Sequence, residues 1–140
     1  CGVGMFLFVR QVTGHPLAAF VAGLAFAFAP YRMAQVSHLQ VLSVQWMPLV
    51  LYGYRLYFET GRRRPLVWGS AAFVVQNLSC GYYLLFFAPL VACYVLWEMA
   101  TRRRLGDWRE WRRWLAAAAG VAVCTLPFLL PYFDLRETAQ

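Results

Sequence analysis

Apolar runs and short polar connectors alternate along this chain. The runs cover about residues 1–9, 17–30, 39–58, 66–79, 82–98 and 115–131. Several approach the length of about 20 residues that carries a helix across a bilayer. Two connectors, ETGRRRP and TRRRLGDWREWRR, are dense in arginine, and a third reads RQVTGHP. The region 66–98 is too long for one span, and its middle, QNLSCGYY, holds Asn77 and Gly81, so the pattern divides it there. Pro48 predicts a kink in the run 39–58. Trp108, Trp111 and Trp114 recur every third residue with arginines between them, which predicts an interfacial amphipathic helix over about 101–114. The expected fold is therefore all-α: a polytopic transmembrane helix bundle of about five to six spans or part-spans, forming one domain over 1–140, with a cytoplasmic amphipathic helix.

Composition sharpens this reading. Residues are 61% hydrophobic and 18% aromatic, with only 14% charged, more apolar surface than a soluble domain of 140 residues hides. A net charge of +7 raises nucleic acid as a partner. The basic residues, however, sit in connectors between apolar runs, the pattern of anchors meeting anionic lipid, which excludes nucleic acid. Every basic residue is Arg, as in GC-rich bacterial genomes. The chain begins with Cys inside an apolar stretch, which reads as an internal fragment of a longer protein. Cys1, Cys80, Cys93 and Cys124 lack metal-ligand spacing and read as small apolar residues.

Orientation follows from charge. The two arginine-rich connectors are two spans apart, so the positive-inside rule places both in the cytoplasm of a multi-pass protein of a bacterial plasma (inner) membrane. RQVTGHP joins them, while YRMAQVSHLQ, QNLSCGYY and PYFDLRETAQ face outward.

Three outward clusters carry candidate chemistry. The first is Tyr31, Arg32, Gln35 and His38; positions 31, 35, 38, 42 and 45 share one helical face, so Gln45 would extend the stripe of Gln35 and His38. Arg32 suits an anionic head group and His38 a hydrogen bond or a proton, though the same stripe also serves as interhelical packing with Arg32 snorkelling to the headgroups. Gln76, Asn77, Ser79, Tyr82 and Tyr83 form either a sugar- or lipid-facing group or a helix–helix turn with belt tyrosines. Asp134 and Glu137 fit a solvated loop better than a base or a metal site. His15 has no partner in its connector. No metal motif, phosphate loop or Ser-His-Asp series is present, and no cofactor is evident; a divalent metal has no support in these residues.

Taken in order, the segments from about residue 10 to 95 resemble the middle of a GT-C glycosyltransferase, the superfamily of the protein O-mannosyltransferase and aminoarabinose transferase families. The likeness rests on a small-residue span ending in Pro30, a semi-polar outward stretch, a span with an Arg-rich turn, and two further spans parted at Gly81. It implies an enzyme moving a sugar from a polyprenyl-phosphate donor at the outward membrane face. It also implies a catalytic acid upstream of this segment, and substrate contacts by Tyr31, Arg32, Gln35, His38, Asn77, Tyr82 and Tyr83. The stretch after Pro30 departs from the family in having no carboxylate. The alternatives are a transporter or flippase of a lipid-linked precursor, or a non-catalytic membrane subunit.

Overall fold

A computed structural model of the chain describes the backbone at residues 1–34 and 43–138, and the side chains at those positions apart from Arg32, Met33 and 129–138. The described residues form seven helices and no strand: α1 (Gly2–Thr13), α2 (Pro16–Ala27), α3 (Pro30–Ala34), α4 (Trp46–Thr60), α5 (Arg63–Ser79), α6 (Tyr82–Thr101) and α7 (Trp108–Thr138). Their ends follow local chemistry. Gly14 and Gly61 take the left-handed conformation at φ 72 and 66 and close α1 and α4 by donating to Arg10 and Tyr57 carbonyls. Pro16 opens α2, where a first turn has no amide hydrogen to lose.

α4 is the hub, packing on α5 and α1, with α2 on the far side of α1 and α7 against α5. Gly53 and Gly69 let α4 and α5 cross at backbone contact, and Gly2 meets Gly23 the same way between α1 and α2. The core is aromatic. Trp114 of α7 stacks on Phe58 at 5.2 Å and meets Tyr54 and Tyr57 edge-on at 4.8 and 5.5 Å. Phe73 and Phe87 tie α5 to α6 at 5.4 Å.

The helices are real, but the expected polytopic transmembrane bundle is not what they build. Among the described residues only α6, 20 residues with a window of mean hydropathy 1.7, is long and apolar enough to cross a membrane. The reason is length and charge. At 1.5 Å per residue the 12-residue helices α1 and α2 reach about 18 Å, against a hydrocarbon core of about 30 Å. α4 and α5 are 15 and 17 residues long; α4 carries Arg55 and Glu59, and α5 opens on Arg63 and Arg64. The first turns of α7 carry Arg109, Glu110, Arg112 and Arg113.

Three local expectations also change. No separate interfacial helix covers 101–114: the chain turns after α6, with Arg103 at φ 53, and α7 then runs unbroken from Trp108 through the expected loop at 131–138. The three tryptophans do not share a face, since a three-residue step falls about 60° short of a full turn. Trp108 is exposed, Trp111 half-buried with its indole N–H on the Leu105 carbonyl at 2.8 Å, and Trp114 buried. Pro48 lies in the first turn of α4, where it leaves the helix uninterrupted.

Candidate functional site

Polar side chains gather at two opposite ends of the fold. One group lies where α5 ends and α6 begins. Ser79 is the last residue of α5 and returns its hydroxyl to the Val75 carbonyl at 2.8 Å. One turn earlier, Gln76 is fully buried and donates its amide to the carbonyl of Ser43 at 2.7 Å, which pins the strand of chain before α4 to α5. Its carbonyl Oε1 has no hydrogen-bond partner among the described residues. Asn77 beside it is 4% exposed, and neither Oδ1 nor Nδ2 has a partner there. A buried amide with no partner costs on the order of 1–3 kcal/mol, and native proteins keep few of them.

The residues singled out in the sequence fall around this point unevenly. Tyr82 opens α6, 74% exposed, its ring stacked on Phe86 at 6.2 Å. Tyr83 is half-buried and packs against the core. Tyr31 stands exposed on α3. Gln35, His38 and the side chain of Arg32 lie outside the described residues, as do the side chains of Asp134 and Glu137. Gln45 occupies the turn before α4, after a non-helical Ser43–Val44, so it does not prolong a helical stripe from Tyr31. Among the described residues, no group of His, Cys, Asp or Glu is placed to hold a metal.

The second group was not singled out by sequence. Glu98 on α6, with a side chain 6% exposed, accepts from Arg55 of α4 at 2.5 Å, from Arg102 at 2.9 Å and from Tyr94 at 3.1 Å. Arg102 also donates to the Phe58 carbonyl at 2.9 Å. Arg55 turns its Nε to Glu59 at 2.7 Å, and Gln11 of α1 hydrogen-bonds the same carboxylate. Glu110 on α7, equally buried, accepts from Tyr57 at 2.6 Å and Arg113 at 3.0 Å, with Arg104 at 3.6 Å. Burial, then the adjoining Glu110 carboxylate, push the Tyr57 phenol above its ordinary pKa, so it stays a donor. The spacings Arg55–Glu59, Glu98–Arg102 and Glu110–Arg113 are the signal that could have found this network.

The two groups do different work. The ionic one is satisfied internally, with each buried carboxylate held by more than one cation, and it clamps α4, α6 and α7 together. The amide group is buried, with donor and acceptor atoms that have no partner among the described residues, and so has hydrogen-bonding capacity to offer a ligand. From Arg63 at the start of α5 to Asn77 is 14 residues, or about 21 Å of helix, which separates the two ends. No curated protein and no solved structure matches the chain. A family model described as a domain of unknown function (DUF6311) matches residues 1–140, and the chain belongs to that family.

Proposed function

We propose that the chain is part of an enzyme that transfers a sugar from a polyprenyl-phosphate donor at the extracytoplasmic face of a bacterial plasma membrane, held there through α6. The observation that carries this reading is Asn77: an amide 4% exposed, with both polar atoms unpartnered among the described residues, next to the unpartnered carbonyl of Gln76. An amide offers a donor and an acceptor at once, which matches the hydroxyls of a sugar. The exposed ring of Tyr82, the first residue after the two-residue break between α5 and α6, adds a flat apolar surface of the kind a sugar or an isoprenoid covers. The order of segments similar to GT-C glycosyltransferases points the same way.

The cluster binds and orients rather than reacts. Glu98 and Glu110 are engaged with arginines at the other end of the fold. The base that deprotonates the acceptor therefore comes from outside the described residues.

The test is transfer of a labelled sugar from a polyprenyl-phosphate donor in membranes carrying the protein, with Asn77→Leu and Gln76→Leu beside the wild type. Loss of one substrate hydrogen bond corresponds to about a tenfold drop in rate. Transfer that persists unchanged in both variants would make the amides packing groups, and no transfer by the wild type would leave the non-catalytic membrane subunit as the reading.

A further inference from the structure

α5 and α7 lie side by side with a groove of about 790 Å³ between them. Its walls are the facing stripes of the two helices, Arg63, Val67 and Val74 on one and Arg112, Ala116 and Gly120 on the other, residues at helical three- and four-residue spacing. The groove is graded along its length. One end holds Arg63, Arg109, Arg112 and Arg113, and from there to Val74 and Cys124 the lining is apolar apart from Ser70.

The arginines at this end differ in their commitments. Arg113 is engaged with Glu110 and Tyr57. Arg63, Arg109 and Arg112 are exposed and make no ion pair among the described residues. The neighbouring carboxylates are occupied: Glu110 as above, and Asp107 by the backbone N–H of Arg109 at 2.9 Å. Both helices also begin here, at Arg63 and Trp108, so their positive dipole ends add to the same field. From Arg63 to Val74 the groove extends about 17 Å, close to the roughly 15 Å depth of one leaflet's hydrocarbon.

We infer that this groove is a binding site for an anionic phospholipid, with its phosphate on Arg63, Arg109 and Arg112 and one acyl chain lying between α5 and α7 past Gly120. A cationic mouth on an apolar trough a leaflet deep complements that molecule at both ends. Nucleic acid would use the arginines and leave the trough empty. The site lies at the opposite end of α5 from Asn77 and does not rest on the transferase reading.

Native mass spectrometry of the detergent-purified chain, titrated with phosphatidylglycerol, phosphatidylcholine or inorganic phosphate, tests it. Two variants separate the head group from the chain. Arg63→Gln/Arg109→Gln/Arg112→Gln removes only exposed, unpaired cations. Gly120→Leu fills the trough: a Cβ there meets nothing within 4 Å, and replacing a glycine in a helix interior favours the helix. Phosphatidylglycerol is expected to bind at least about tenfold more tightly than phosphatidylcholine. Each variant is expected to lose about tenfold in that affinity while keeping the wild-type circular dichroism, and millimolar phosphate is expected not to displace the lipid. Undiminished binding to Gly120→Leu would reduce the effect to surface charge and overturn the proposal. Displacement by free phosphate would overturn it as well, as would equal retention of the two lipids. Should the triple variant lose its helicity, Arg112→Gln alone supplies the head-group arm.

Discussion

Arg55 of α4 donates to Glu98 of α6 across 2.5 Å, and removing either partner has unequal consequences because their exposures differ. The Glu98 side chain is 6% exposed and the Arg55 side chain 22%. Arg55→Met leaves a buried carboxylate with Arg102 and Tyr94 alone, whereas Glu98→Met leaves Arg55 in contact with solvent and with Glu59. The expected cost of Arg55→Met is about 2 kcal/mol, below the 3–5 of a fully isolated buried charge because Arg102 remains. Glu98→Met is expected to cost less, and the double variant to recover part of the loss. Chemical denaturation followed by circular dichroism reads all three. Equal costs for the two single variants would mean that burial does not govern the pair.

Two glycines on neighbouring helices should respond in opposite directions to the same change. At Gly53 a new Cβ would lie 3.0 Å from Gly69 Cα and 3.0 Å from the Pro65 carbonyl, both backbone atoms that cannot yield without separating α4 from α5. Gly53→Ala is expected to destabilise by about 1–3 kcal/mol, despite alanine's helix preference. At Gly120 nothing lies within 4 Å, and Gly120→Ala is expected to stabilise by up to about 1 kcal/mol. Denaturation midpoints of the two variants against wild type check both signs, and a stabilising Gly53→Ala would deny the close crossing.

These contrasts mark what the chain's pattern could and could not reveal. The apolar runs point to helices, and Gly81 sits where α5 and α6 part. Runs, however, report burial as readily as lipid, which is why short helices around Tyr57, Phe58 and Trp114 read as membrane spans. Trp114 illustrates the point: its spacing from Trp108 suggested a shared surface, yet the helical rotation carries it into the core. The Asn77 cluster was visible because it is the chain's sole Asn set among apolar residues. The Glu98 and Glu110 networks stayed hidden because half of each lies on another helix, joined by contacts 43 and 53 residues apart in sequence. Only the intrahelical halves leave a local trace.

Asn77 separates ligand binding from packing by stability alone. A buried amide held for a ligand is a standing cost in the free protein, so Asn77→Leu, close in size and apolar, is expected to raise stability by about 1 kcal/mol. An amide that holds the fold together through partners would instead lose about 1–3 kcal/mol on the same change. Urea denaturation of the ligand-free protein distinguishes the two, and a destabilised Asn77→Leu would place the residue among the packing groups.

Tyr57 should give the fold an alkaline limit. Its hydroxyl, buried and donating to Glu110 at 2.6 Å, has a pKa raised first by burial and then by that carboxylate. A group whose folded pKa lies above its unfolded value of about 10 contributes stability that is complete below pH 10 and is lost as pH rises beyond it. Stability should therefore fall on the alkaline side of about pH 10. Tyr54, raised by burial against a weaker opposing hydrogen bond to Ser70, contributes in the same sense. Tyr57→Phe removes one titrating group while keeping the ring against Trp114, so it is expected to cost about 1 kcal/mol at pH 7 and to flatten the fall above pH 10. Denaturation midpoints of wild type and Tyr57→Phe, measured from pH 7 to 11.5, should converge at the alkaline end. Parallel curves across that range would show that the Tyr57 phenol titrates as it does in the unfolded chain.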